Sequence, residues 1–262
     1  MNVVTRTARR NLDLAAGTLS VVVLADSAVE HYRGGFYNRV MFAAPLLSSM
    51  TLATSVAAHE RSAATPAHLL AVAGGMIGTG FHLLNVIKRE GGLSWLNLFY
   101  GAPIAAPLGL TFAGLFGLAA DHVRRSRRLP FFARALAAST AIGLAGTAGE
   151  AALLHFRGAF HNKFMYLPVT IPPLAAIALA KDAARARTAP STRLLLRAAV
   201  AIGIGGAVLH TLAVQREMGG WKNWTQNIHA APPIPAPPAF TAMALAGLAA
   251  LDLMEDDARQ DV

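Results

Sequence analysis

The sequence predicts an all-α polytopic membrane protein with eight transmembrane helices, arranged as two four-helix repeats of parallel topology. Composition gives the first reason. Of the 262 residues, 54% are hydrophobic and only 14% are charged, whereas about a quarter of the residues in a soluble domain are charged. The second reason is internal repetition, because the same short motifs occur twice in the same order.

Eight apolar spans are visible, and each is close to the 17–25 residues that a helix needs to cross a hydrocarbon core of about 30 Å. The first span follows several arginines and could be mistaken for a signal peptide. It carries Asp13 and Asp26 and continues into a repeated motif, so we interpret it as a retained helix. The spans lie at roughly 11–32, 40–57, 66–87, 101–120, 131–154, 164–180, 194–214 and 234–254.

The repetition is clearest where HYRGGFYNRVM at 31–41 returns as HFRGAFHNKFM at 155–165, with six of eleven positions identical. HLLNVIKREGG at 82–92 returns as HTLAVQREMGG at 210–220, and NLFYGAPIAAP at 97–107 returns loosely as NIHAAPPIPAP at 227–237. We therefore expect two copies, residues 1–128 and 129–262. Four helices per copy give parallel repeats related by an axis along the membrane normal. Gly34 and Gly158 are expected to permit the turn in RGGF and RGAF.

The basic residues are distributed unevenly along the predicted topology. Fifteen of the 23 lie on the side that holds both termini and the loops near 58–65, 121–130 and 181–193. By the positive-inside rule this side is cytoplasmic, which predicts a bacterial inner-membrane protein with cytoplasmic N- and C-termini. The run RRSRR at 124–128 is then a topology signal, and no nucleic-acid partner is expected. The lack of cysteine excludes thiolate metal sites, iron–sulfur clusters and disulfides.

The repeated motifs fall on the opposite, periplasm-like face, where polar residues gather. Each half supplies the same set of carboxylate, histidine, arginine and asparagine side chains. His82 and His210 are expected to lie about 9 Å deeper than His31 and His155, at about 1.5 Å per helical residue. Ionisable residues inside a membrane are functional candidates by default. The set is Asp26, His31, Arg33, Asn38, His82, Arg89 and Asn97 in the first half, and Glu150, His155, Arg157, Asn162, His210, Arg216 and Asn227 in the second.

Paired histidines on two helices of a four-helix unit can clamp a haem b. The sequence therefore favours a membrane redox subunit that passes electrons to quinone or to a periplasmic or membrane partner enzyme. The axial ligands would be His31 with His82 and His155 with His210. Arginines would bind propionates or quinone oxygens, the carboxylates would handle protons or orient the histidines, and the asparagines would complete the reactive region. These residues are Arg33, Arg89, Arg157 and Arg216, then Asp26 and Glu150, then Asn38 and Asn162.

Three alternatives remain open. A non-haem metal enzyme would use Asp26 with His31, or Glu150 with His155 and His161, joined by the deeper histidine of that half. A small-molecule or ion transporter fits parallel repeats and helices rich in glycine, alanine and proline. In the third, the polar residues cap helices and hold turns without binding any cofactor. One shared site or two, the substrate and the oligomeric state are also open.

Overall fold

The computed structural model describes residues 2–57, 64–125 and 130–260, and these ranges are all-helical. Within these ranges there are ten α-helices, and two of the described connections contain a 3₁₀ turn, Arg39–Phe42 and Lys163–Tyr166. The helices are α1 Val3–Arg33, α2 Ala43–Ala57, α3 Ala64–Ile87, α4 Trp95–Tyr100, α5 Leu108–Arg125, α6 Pro130–Arg157, α7 Ile171–Arg185, α8 Pro190–Glu217, α9 Trp224–Ala230 and α10 Pro238–Gln260.

Seven helical stretches of the described ranges are long and apolar enough to cross a membrane, which supports an integral membrane protein. The predicted span 101–120 is the exception, so that the eighth crossing stays a prediction. Residues 101–107 are not helical, because Pro103 and Pro107 disfavour a helical conformation in the residues before them. Helix α5 therefore begins only at Leu108, and its last turns carry Asp121, Arg124 and Arg125. The seven stretches are Val3–Arg33, Arg39–Ala57, Thr65–Ile87, Phe131–Arg157, Lys163–Arg185, Pro190–Glu217 and Pro238–Arg259.

The helices pack as two four-helix groups that meet along α1 and α10. Helices α1 and α3 both pack against α2 and α5, and α6 and α8 both pack against α7 and α10. In each group the two histidine-bearing helices therefore lie diagonally across from each other. The α1–α10 contact buries many alanines, since small side chains let membrane helices approach closely.

The two ends of the chain lie side by side. The Asn2 amide donates to both carboxylate oxygens of Asp256 at 2.9 and 3.0 Å. Nearby, Arg193 of α8 forms ion pairs with Asp252 and Glu255 of α10 at 2.6 and 2.9 Å. Arg61, Arg127 and Arg128, which contribute to the predicted basic side and to the RRSRR run, lie outside the described residues.

Candidate functional site

The first corner, residues 31–42, is a tight turn that ends α1 and begins the next helix. Gly35 and Phe36 have positive φ angles of 71° and 45°, and they reverse the chain direction. The His31 ring reaches across the turn, with Nδ1 2.6 Å from the Met41 carbonyl oxygen. Asn38 caps the 3₁₀ turn by accepting from the Val40 amide at 3.0 Å.

The second corner, residues 155–166, repeats these contacts after α6. His155 Nδ1 lies 2.9 Å from the Met165 carbonyl oxygen, and Asn162 accepts from the Phe164 amide at 3.0 Å. The left-handed residues are Ala159 and Phe160, with φ angles of 55° and 46°. The structure thus places both predicted catalytic asparagines as caps of 3₁₀ turns.

The role predicted for the first motif glycine is wrong. Positive φ falls on the next two residues in each corner, while Gly34 itself has φ −77°. A methionine methyl instead limits the space at Gly34 and Gly158. A Cβ atom there would lie 3.4 Å from the Met41 methyl and 3.1 Å from the Met165 methyl. The glycine and the methionine of each motif therefore belong to one packing contact.

The deeper histidines fasten the proline-rich segments that lead into α5 and α10. His82 Nδ1 lies 2.7 Å from the Pro103 carbonyl oxygen, and His210 Nδ1 lies 2.8 Å from the Pro233 carbonyl oxygen. Because a carbonyl can only accept, Nδ1 must carry a proton in all four histidines, so the neutral form of each ring has its lone pair on Nε2. Within the described part of the chain no hydrogen bond occupies any of these four Nε2 atoms.

The structure brings together the histidines predicted to form pairs. The rings of His155 and His210 have centroids 6.5 Å apart, and His31 is within electrostatic range of His82. The expected 9 Å difference in depth is therefore wrong for the second pair. That expectation took the basic residue after His210 as the membrane exit, but Arg216 is still helical. A separation of 6.5 Å between the ring centroids leaves no room for a 9 Å difference in ring depth.

The two predicted carboxylates lie at the junction of the halves. Asp26 of α1 and Glu150 of α6 are close enough to interact electrostatically. Neither forms a hydrogen bond to another described residue. No group of three or more metal-ligating side chains is assembled anywhere in the described ranges. His161, expected in a non-haem site, instead faces Glu217 at 3.9 Å.

The motif arginines reach from one half to the other. Arg33 Nε donates to the Ile228 carbonyl oxygen at 2.6 Å, and its Nη2 donates to the Ala231 carbonyl oxygen at 3.1 Å, at the end of α9. Its Nη1 pairs with Glu30. In the opposite direction, Arg157 donates to the Leu98 carbonyl oxygen of α4 at 3.3 Å. Each arginine therefore holds the short helix of the other half.

Arg157 is the less satisfied of the two. Its guanidinium lies 5.2 Å from the centre of the Phe99 ring, yet its Nε is buried without a hydrogen-bond partner among the described residues. The remaining predicted arginines, Arg89 and Arg216, are exposed beyond α3 and at the end of α8.

Sequence reasoning missed the contacts that join the two halves. Tyr32 packs on His229 with ring centroids 5.7 Å apart, and Phe156 packs on Phe99 at 5.9 Å. The first three residues of each corner motif therefore make contacts in different directions. The histidine contacts its own half, and the aromatic residue and the arginine that follow it contact the other half. The loosely repeated stretches 97–107 and 227–237 could have indicated these contacts. They include parts of α4 and α9, and they contain the carbonyls to which His82 and His210 donate.

No protein-family model, curated protein or solved structure matches this chain.

Proposed function

We propose that this chain is an integral membrane redox subunit that holds haem b between the paired histidines of each half. One observation carries the proposal. All four histidines donate Nδ1–H to a backbone carbonyl, an arrangement that fixes the ring and leaves Nε2 as a metal ligand. These histidines lie on diagonal helices of each four-helix group, so they can approach one central group from opposite sides.

The spacing of His155 and His210 favours a haem over a tetrahedral metal site. Two imidazoles bound on opposite sides of one metal, with bonds of about 2.0–2.1 Å, have ring centroids about 6.4 Å apart, while tetrahedral ligands would be about 5.3 Å apart. The observed separation is 6.5 Å. A haem iron takes only two axial ligands from the protein, so it does not require a cluster of three ligating side chains.

The surroundings of the second pair also suit a haem. Arg157 follows His155 by two residues, and its buried Nε lacks an acceptor, which a propionate oxygen would supply. A haem b bound here would provide one-electron transfer. The chain itself provides the ligands, their orientation and a positive charge for the propionate. Quinone or a redox enzyme at the outer face would be the electron partner.

The proposal includes eight crossings in two parallel repeats, residues 1–128 and 129–262. The Asn2–Asp256 contact supports an even number of crossings, because both chain ends then emerge on one side. Helix α5 packs along α1 and α3 and is the proposed eighth crossing. The matching corner contacts support the duplication. The positive-inside rule would place the termini in the cytoplasm and the histidine pairs toward the periplasm of a bacterial inner membrane.

An absorption spectrum of the detergent-purified protein tests the proposal. We expect a sharp α-band of b-type haem after dithionite reduction, with iron in stoichiometric amount by elemental analysis. His210→Ala should lower the haem content, because it removes one axial ligand of the second pair. His229→Ala is the matched control, since this histidine also lies in the outer region but contacts Tyr32 and not another histidine ligand.

A colourless, iron-free protein would contradict the proposal. So would equal haem content in the His210→Ala and His229→Ala variants. The transporter alternative makes the opposite prediction, because a transporter would be colourless and would bind its solute.

A further inference from the structure

A cavity of about 240 Å³ opens between the two halves, where α1 of the first half faces α8 and α9 of the second. We call it the inter-half cleft. Val29, Ile228, Ile234 and three prolines give it apolar walls, and two tryptophans stand at its rim. This size suits the ring of an amphipathic molecule whose tail remains in the lipid, and not a large hydrophilic solute.

Two hydrogen-bond acceptors in the cleft lack donors. The Asp26 carboxyl lines the cleft and has no hydrogen bond to another described residue. Asn227 also lines it, and its Oδ1 is buried without a partner while its Nδ2 donates to the Gly220 carbonyl oxygen at 3.0 Å. A buried acceptor without a partner, such as the Asn227 Oδ1, is unfavourable because it has lost its hydrogen bonds to water. A ligand with hydroxyl donors would remove this cost.

The charged donor of the cleft is already engaged, and the indole N–H groups of Trp221 and Trp224 are uncharged side-chain donors among its lining residues. Arg33 lines the cleft, but its guanidinium is engaged by the Ile228 and Ala231 carbonyls and by Glu30. The Arg33 charge is offset by its ion pair with Glu30. The walls therefore favour a neutral, planar molecule that donates hydrogen bonds.

The cleft adjoins the second histidine pair. Pro233, one of its wall residues, supplies the carbonyl that accepts from His210 Nδ1. Val214, another wall residue, lies one helical turn beyond His210 on α8. A molecule in the cleft is thus separated from a proposed haem ligand by a single residue.

The geometry points to a quinol-binding site in the inter-half cleft, in which Asp26 and the Asn227 Oδ1 accept hydrogen bonds from the quinol hydroxyls. The two unpartnered acceptors favour the reduced quinol over the oxidised quinone, which has only carbonyl oxygens to offer. The inference rests on the proposed redox function for its choice of ligand. Its binding chemistry, however, can be measured whether or not haem is present.

The test is calorimetric titration of the full-length protein in lipid nanodiscs, under anaerobic reducing conditions, with decyl-ubiquinol as the probe. Empty nanodiscs correct for partition of the probe into lipid. We expect saturable binding that is at least about tenfold tighter than binding of the dimethyl ether of the same quinol, which cannot donate. Asp26→Asn and Asn227→Leu should each weaken quinol binding by about tenfold, whereas Glu217→Gln, at an exposed carboxylate outside the cleft, should not.

Equal affinity for the quinol and its dimethyl ether would overturn the inference, as would unchanged quinol binding in Asp26→Asn. Binding of benzyltrimethylammonium in place of quinol, lost in Asp26→Asn, would overturn it in favour of a cation site. Circular dichroism of each variant detects misfolding. Val29→Phe narrows the cleft but leaves both acceptors in place, so it tests whether the cleft itself is the site. Haem content is measured on the same samples to distinguish the quinol site from the proposed function. A haem-free protein that binds quinol would contradict the proposed haem-binding function and not the quinol site.

Discussion

The two corners share their histidine geometry and differ in how their arginines are satisfied. In both corners a histidine holds the carbonyl ten residues ahead, and an asparagine caps a 3₁₀ turn. Arg33, however, has three acceptors, including Glu30, whereas the residue that corresponds to Glu30 in the second half is Leu154. The shared contacts are the ones that hold the histidine in place in each corner. The differences indicate that the halves have separate tasks at their junction.

This comparison bears on the cleft described above, which lies where α1 of the first half meets the second half. The first half contributes carboxyl groups and a fully engaged arginine, and the second contributes the apolar and aromatic walls. At the corresponding place beside the second corner, the arginine has a buried nitrogen without an acceptor. One junction is therefore suited to a hydrogen-bond donor and the other to an acceptor such as a carboxylate.

The largest expected effect separates two haem sites from one shared site. If each half has its own site, His82→Ala and His210→Ala should each lower the haem-to-protein ratio by about half, and the double variant should bind none. A pyridine haemochrome assay on purified protein measures the ratio. Complete loss in either single variant would instead indicate one site at the pseudo-twofold axis.

Replacement of the two arginines should affect stability unequally. Arg33→Met leaves two α9 carbonyls and Glu30 without their donor, and we expect a loss of about 2 kcal/mol or more in the free energy of unfolding. Arg157→Met gives up one long hydrogen bond and a cation–π contact but also removes an unpartnered buried nitrogen, so its effect should stay within about 1 kcal/mol.

Denaturant titration in detergent, followed by circular dichroism, measures both arginine variants. Equal losses would show that the arginines have equivalent roles in spite of their different contacts. A larger loss for Arg157→Met would reverse the comparison between the corners.

The smallest expected effect concerns the left-handed residue of each turn. Ala159 has φ 55°, where its counterpart Gly35 has φ 71°. The left-handed conformation costs a residue with a Cβ about 1–2 kcal/mol. Ala159→Gly should therefore raise the midpoint of thermal unfolding by a few degrees, and Gly35→Ala should lower it. Thermal circular dichroism is sufficient, and shifts of the same sign in both variants would count against this account of the turns.

Much of the helical architecture could be predicted from the sequence. Span lengths and hydropathy predicted the seven membrane-length helical stretches of the described residues. A continuous apolar run of about twenty residues has few other stable conformations in lipid. The span at 101–120 was misplaced, since the apolar run continues through prolines that keep residues 101–107 out of the helix. The composition of this span shows that it is hydrophobic, but it does not show that its first residues are not helical.

The members of the candidate site stay a prediction from the sequence, whereas their contacts came only from the structure. Repetition singled out His31, His82, His155 and His210, but the expected 9 Å difference in depth exceeds the 6.5 Å that separates the ring centroids of His155 and His210. The role of Gly34 and Gly158 was also misassigned, since the backbone φ angle depends on how α1 and α6 end and not on the residue type alone.

The sequence by itself therefore determined that this chain is helical and apolar, and that a particular set of histidine, arginine, asparagine and carboxylate side chains occurs twice. These properties follow from composition and local order along the chain. Only the tertiary structure decided that Arg33 holds α9 of the other half, that the ring centroids of His155 and His210 lie 6.5 Å apart, and that Asp26 lines a cleft beside Pro233. Such contacts join residues far apart in the sequence, and they depend on how helices pack, which local sequence does not specify.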